Sequence, residues 1–99
     1  TTDDVKQFND TVVTSLTQAM NDAQGKARDD LAGLVARRRM AENELASFRD
    51  QIGKYESSAR TALGQGKTDL AREVASRIAE LEARIAALEE RLARLEGQP

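Results

Sequence analysis

The sequence predicts an all-α protein, an antiparallel two-helix coiled-coil hairpin with a long first helix and a shorter second helix. Three observations indicate this fold. Seam residues recur at alternating spacings of three and four over two long stretches, as in a coiled coil. Glycines near residue 65 separate the two stretches. The chain of 99 residues has one proline and 3% aromatic residues, a composition unlike that of a sheet protein.

We expect a single domain over residues 1–99, with helix 1 at about 3–63, a turn at 64–68 and helix 2 at about 69–96. Gly25 and Gly33 lie within predicted helix 1 and allow two interpretations. The helix bends or approaches another helix closely at the glycines, or one long helix tolerates both. The regular apolar spacing around them favours the single helix. The seam of helix 1 is predicted to consist of Leu34, Arg38, Ala41, Leu45, Phe48, Ile52, Tyr55, Ala59 and Ala62.

The first 34 residues carry an apolar stripe of their own. Its mean spacing is close to the 3.6 residues of a straight helix. Helix 2 is too short to cover this region, and an isolated amphipathic helix is marginal in water. We therefore predict that residues 5–34 pack against another copy of the chain, making it at least a dimer, or against sequence outside this chain. The predicted oligomer face consists of Val5, Phe8, Val12, Leu16 and Leu31.

The turn and the second helix complete the predicted hairpin. Gly64 and Gly66 can end helix 1, Lys67 follows them, and Thr68 or Asp69 can cap helix 2. Folding the chain here pairs Leu45 with Leu88 and Phe48 with Ile85, and equivalent pairs follow along the seam. The seam of helix 2 is predicted to consist of Leu70, Val74, Ile78, Leu81, Ile85, Leu88, Leu92 and Leu95.

Composition excludes several classes of function. Charged residues are 32% of the chain and nearly balanced, with a net charge of −2, which argues against a nucleic-acid partner. The chain has no cysteine and no histidine, so thiolate chemistry, imidazole bases and the usual zinc ligand sets are absent. Neither a membrane-spanning stretch nor a signal peptide is evident. We expect a protein without enzymatic activity, cofactor or metal.

Two short motifs have a functional and a structural interpretation. Gly64 to Thr68 ends like a phosphate-binding P-loop, but Thr61 replaces the first glycine and a helix replaces the strand before it, so we interpret it as a hairpin turn. Arg37 to Arg39 could contact anionic lipid or phosphate, or form a solvated helix face. The solvated helix face is favoured because glutamates follow. Arg38 differs from the other two arginines because it lies on the seam, where it could specify the register of the helices.

The segment around the turn resembles the phage shock protein A family, which includes the vesicle-inducing proteins of thylakoids and is related in fold to the ESCRT-III proteins. The resemblance extends from about Asn9 to about Leu95 and is most specific at the turn. The residues that fit the family's pattern are Tyr55, Glu56, Ala59, Ala62, Leu63, Lys67, Asp69, Leu70, Ala71 and Arg72.

The resemblance implies a scaffold that maintains the bacterial cytoplasmic membrane under stress by forming large oligomers, and that restrains an AAA+ transcription activator. It also implies a cytoplasmic location, peripheral at the inner face of that membrane. Three aspartates lie among the first ten residues, where the family has a lipid-inserting amphipathic helix, so we expect membrane association to be indirect or through further segments. The alternative is a generic structural or dimerising coiled coil from a larger, unrelated protein.

Overall fold

The computed structural model describes residues 1–97 and contains two helices. Helix α1 is Thr2–Gly64 and helix α2 is Thr68–Glu96. The structure is 95% helical, and residues 1–97 include no strand. The predicted all-α fold, with a long first helix and a shorter second helix, is therefore confirmed. Gln98 and Pro99, the end of the predicted domain, lie outside the described residues.

The first compact unit is the N-terminal segment, Thr1–Val35. The Asp4 backbone N–H donates to Thr1 Oγ1 at 3.1 Å, which satisfies one of the free amides at the start of α1. Asp3 and Asp4 place negative charge in the first turn, where the helix dipole favours it. Gly25 lies inside α1, as does Gly33, so the helix tolerates both, as the apolar spacing indicates.

The second compact unit, Ala36–Pro99, is described through residue 97 and is called the hairpin below. The last part of α1 and the whole of α2 run antiparallel in it. Ala41, Leu45 and Leu88 form a buried cluster in it, with three half-buried side chains packed against them. The buried residues of the hairpin are Ala41, Leu45, Ala62, Ala71, Leu81 and Leu88.

The core of the hairpin is thin, because it consists of a single layer of side chains between two helices. No side chain among the described residues is less than 2% exposed, and three of the six buried residues are alanines. Burying a leucine contributes about 1.5–3 kcal/mol, so the three buried leucines supply much of the stability of the hairpin. Within residues 1–97, neither helix contains a stretch that is long and apolar enough to cross a membrane.

Candidate assembly surfaces

The turn of the hairpin closes around Gly66. The backbone N–H of Lys67 donates to the Ala62 carbonyl at 2.8 Å, and that of Gly66 donates to the Leu63 carbonyl at 3.0 Å. These two hydrogen bonds form a Schellman motif at the end of the helix. The motif requires a left-handed backbone conformation at the first of the two donor residues. Gly66 supplies it with φ of +76°. Gly64 is the last residue of α1.

The start of α2 differs from the prediction that Thr68 or Asp69 caps it. The N-cap residue is Lys67, which makes no side-chain capping hydrogen bond, and the Lys67 carbonyl accepts from Ala71 N–H at 3.1 Å. Thr68 and Asp69 already belong to the first turn, so their oxygens come too late to act as the N-cap. The Asp69 carboxylate instead lies 3.5 Å from Arg72.

The predicted seam residues of the hairpin are buried or half-buried, except Arg38 and Leu70. In α1 they are Leu45, Phe48, Ile52, Tyr55 and Ala59, and in α2 they are Val74, Ile78, Leu81, Ile85, Leu88 and Leu92. Arg38 is exposed, and Leu34, the seam residue predicted in the N-terminal segment, is 41% exposed. Leu70 is 47% exposed, while the neighbouring Ala71 is 7% exposed. Both positions are compatible with the three-and-four spacing, and Ala71 takes the buried place.

The helices also meet through exposed ion pairs. Arg49 lies 3.0 Å from Glu89 on the opposite helix. Arg38 lies 3.0 Å from Glu42 on its own helix and 3.1 Å from Glu96 on α2. Arg38 thus bridges two glutamates that would otherwise repel each other. Because these groups are more than half exposed, each pair contributes at most about 1 kcal/mol and serves mainly to set the register.

Two charged rows flank the seam of α2 and are not among the residues predicted from the sequence. Each row repeats every seven residues, and this repeat is the signal that could have identified them. The basic row is Arg77, Arg84 and Arg91, and the acidic row is Glu82, Glu89 and Glu96. Within residues 1–97, no carboxylate lies within 4.0 Å of an arginine of the basic row.

The predicted oligomer face of the N-terminal segment is exposed in the single chain. Phe8 is 71% exposed and Leu16 59% exposed, and Val5 and Leu31 are also largely exposed. Val12 is the least exposed of the five, at 37%. Side chains of this size rarely lie together in water on a monomeric protein without a binding role.

The described residues show no arrangement typical of an active site. One surface depression lies on the N-terminal segment beside Val13, and another lies in the hairpin beside Tyr55 and Leu81. No group of three acidic side chains in residues 1–97 could hold a metal ion. The surfaces that the chain offers are therefore helix faces.

Comparison with known proteins identifies the family. The sequence profile of the PspA/IM30 family matches residues 7–98, nearly the whole chain. No curated protein and no solved structure matches significantly. The family is structural and non-enzymatic and belongs to the membrane stress response. The match includes the turn and both helices of the hairpin. The chain belongs to the PspA/IM30 family.

Proposed function

We propose that the chain is a coiled-coil scaffold of the membrane stress response that associates with other copies of itself through the N-terminal segment. The supporting observation is the exposed apolar stripe of that segment, in which Phe8 is 71% exposed. Burying each large apolar side chain of the stripe contributes about 1.5–3 kcal/mol, so several together can offset the entropy cost of association.

The stripe also suits pairing with itself in the antiparallel direction, because its spacing is nearly the same read from either end. Two antiparallel copies would bring Val5 to Leu34 and Phe8 to Leu31, with Leu16 facing the small Ala23. Large side chains would then meet at both ends of the contact, and a large side chain would face alanine in its middle, which lets the helices approach closely there. Such a contact has two-fold symmetry, with the same surface used on both copies.

Sedimentation of the wild-type chain and two variants tests this proposal. Leu16→Glu places a charge on the apolar stripe, and Thr14→Glu places the same charge on the opposite side of the helix. We expect the wild type and Thr14→Glu to associate with rising concentration and Leu16→Glu to stay monomeric. A wild type that is monomeric with an ordered first helix, or a Leu16→Glu variant that associates like the wild type, would refute self-association through this face.

We further propose that the hairpin restrains an AAA+ transcription activator and that the chain acts at the inner face of the cytoplasmic membrane, as the resemblance to the family implies. Binding of a purified activator to the wild type but not to variants with reversed hairpin charges would support the first role. Co-sedimentation with vesicles of anionic lipid tests the second. A chain that binds neither partner would leave the alternative of a generic structural coiled coil.

A further inference from the structure

Two rows of residues follow the two edges of the apolar stripe near the start of α1. Each row repeats every eleven residues, and eleven residues make about three turns of a nearly straight helix, so each row keeps to its own edge. The polar row is Asp4, Ser15, Lys26 and Arg37. The row on the other edge is Asn9, Met20 and Leu31, of which Met20 is 63% and Leu31 61% exposed. One edge of the stripe is therefore charged and the other is mainly apolar.

The direction in which two copies pair decides which of these rows meet. In an antiparallel pair of helices each edge lies against the same edge of the other copy, whereas in a parallel pair it lies against the opposite edge. A parallel pair would therefore set the charged row against Met20 and Leu31. An antiparallel pair instead sets the polar row against the polar row and the apolar row against the apolar row. The composition of the two edges thus favours the antiparallel direction.

The register that pairs Val5 with Leu34 also brings opposite charges together. At this register Asp4 of one copy lies level with Arg37 of the other, and the two-fold symmetry repeats the contact at the far end. On the other edge Met20 lies level with Met20 of the second copy, on the two-fold axis. The apolar stripe and the charged row therefore select the same register.

Both charges are available in the single chain. Within residues 1–97, no carboxylate lies within 4.0 Å of the Arg37 guanidinium. The Asp4 carboxylate lies 3.2 Å from the terminal amino group, and both groups are highly exposed, so this contact is exchanged for another at little cost. At about 1.5 Å per residue, Asp4 and Arg37 are about 50 Å apart along α1, so they can meet only between two copies.

We propose that Asp4 of one copy pairs with Arg37 of a second copy, and that this ion pair fixes the direction and register of the contact, with Met20 on the two-fold axis. The inference rests on the proposed self-association through the N-terminal segment and identifies the residues that orient the second copy. A parallel pair can form neither ion pair, because the ends that carry the two charges would then lie far apart. Orientation is thus set by charge, whereas affinity comes from the apolar stripe.

A charge exchange measured by sedimentation equilibrium at low salt tests the ion pair. We expect Asp4→Arg and Arg37→Asp each to raise the dissociation constant of the dimer about tenfold, because every dimer contains the contact twice. The double variant restores the opposite charges, so we expect its constant to return to within about threefold of the wild type. The control is Asp10→Arg, which makes the same charge change on the side of the helix away from the stripe and should have little effect.

The outcomes separate this inference from the proposed self-association. A double variant that associates no better than the single variants would overturn the ion pair while the wild type still associates. A wild type that stays monomeric would refute the self-association and the ion pair together.

Disulfide cross-linking tests the direction without changing any charge, since the chain has no cysteine. In the antiparallel pair Met20→Cys lies beside its own copy, whereas Val5→Cys lies about 45 Å from its own copy and beside Leu34. With a mild oxidant we expect Met20→Cys to form covalent dimers, and Val5→Cys to form them only when Leu34→Cys is present in the same chain. Val5→Cys alone cross-linking as fast as Met20→Cys would overturn the antiparallel direction.

Discussion

Truncating one leucine at a time tests which residues of α2 face α1. Leu81→Ala removes a side chain that is 6% exposed, whereas Leu70→Ala removes the same atoms from a side chain that is 47% exposed. Replacing a buried leucine by alanine lowers the free energy of unfolding by about 2–5 kcal/mol. The hairpin core is a single layer of side chains, so neighbouring residues can partly fill the cavity, and we expect Leu81→Ala to cost about 2–3 kcal/mol. Leu70→Ala should cost about 1 kcal/mol, in proportion to its smaller burial.

The assay is urea unfolding followed by far-UV circular dichroism, carried out with Leu16→Glu present so that assembly does not contribute. Both substitutions change leucine to alanine within α2, so helix propensity nearly cancels in the comparison. We expect the two free energies of unfolding to differ by about 1–2 kcal/mol. Equal losses, or a larger loss for Leu70→Ala, would mean that α2 is rotated by one residue and that the observed seam is wrong.

Further predictions concern the turn, an exposed glycine and an ion pair. Gly53→Ala should raise the free energy of unfolding by about 0.5–1 kcal/mol, because a Cβ at this helical position meets no atom within 4 Å. Gly66→Ala should lower it by about 1 kcal/mol, because φ at that residue is +76°; both are measured by urea unfolding. Arg49→Ala should lower it by less than about 1 kcal/mol at low salt and have little effect at 1 M salt, since its pair with Glu89 is exposed.

Periodicity was enough to predict the two helices and most of the seam. The three-and-four spacing is unbroken from Leu45 to Ala62, and it resumes in α2 at the same rhythm. The sequence was misleading at Leu70. Leu70 lies four residues before Val74 and Ala71 lies three, so both fit the seam spacing, and the larger side chain of Leu70 made it the predicted seam residue. At the closed end of the hairpin the helices leave room for small side chains, and Ala62 and Ala71 take the buried places.

The cap of α2 could not be predicted, because it depends on where the turn ends. Two backbone hydrogen bonds close the turn around Gly66 and bring Lys67 to the cap position, whereas composition pointed to the residues that follow it. Self-association through Val5, Phe8, Val12, Leu16 and Leu31 stays a prediction. Exposure in a single chain is what such a face requires.

The proposed contact between N-terminal segments is antiparallel and has a two-fold axis, and this symmetry determines what it can build. Both copies use the same surface, so one such contact closes a dimer. We therefore expect the wild type to reach a dimer in sedimentation and Leu16→Glu to stay monomeric. Assemblies larger than a dimer that persist in Leu16→Glu would mean that a further surface carries the scaffold.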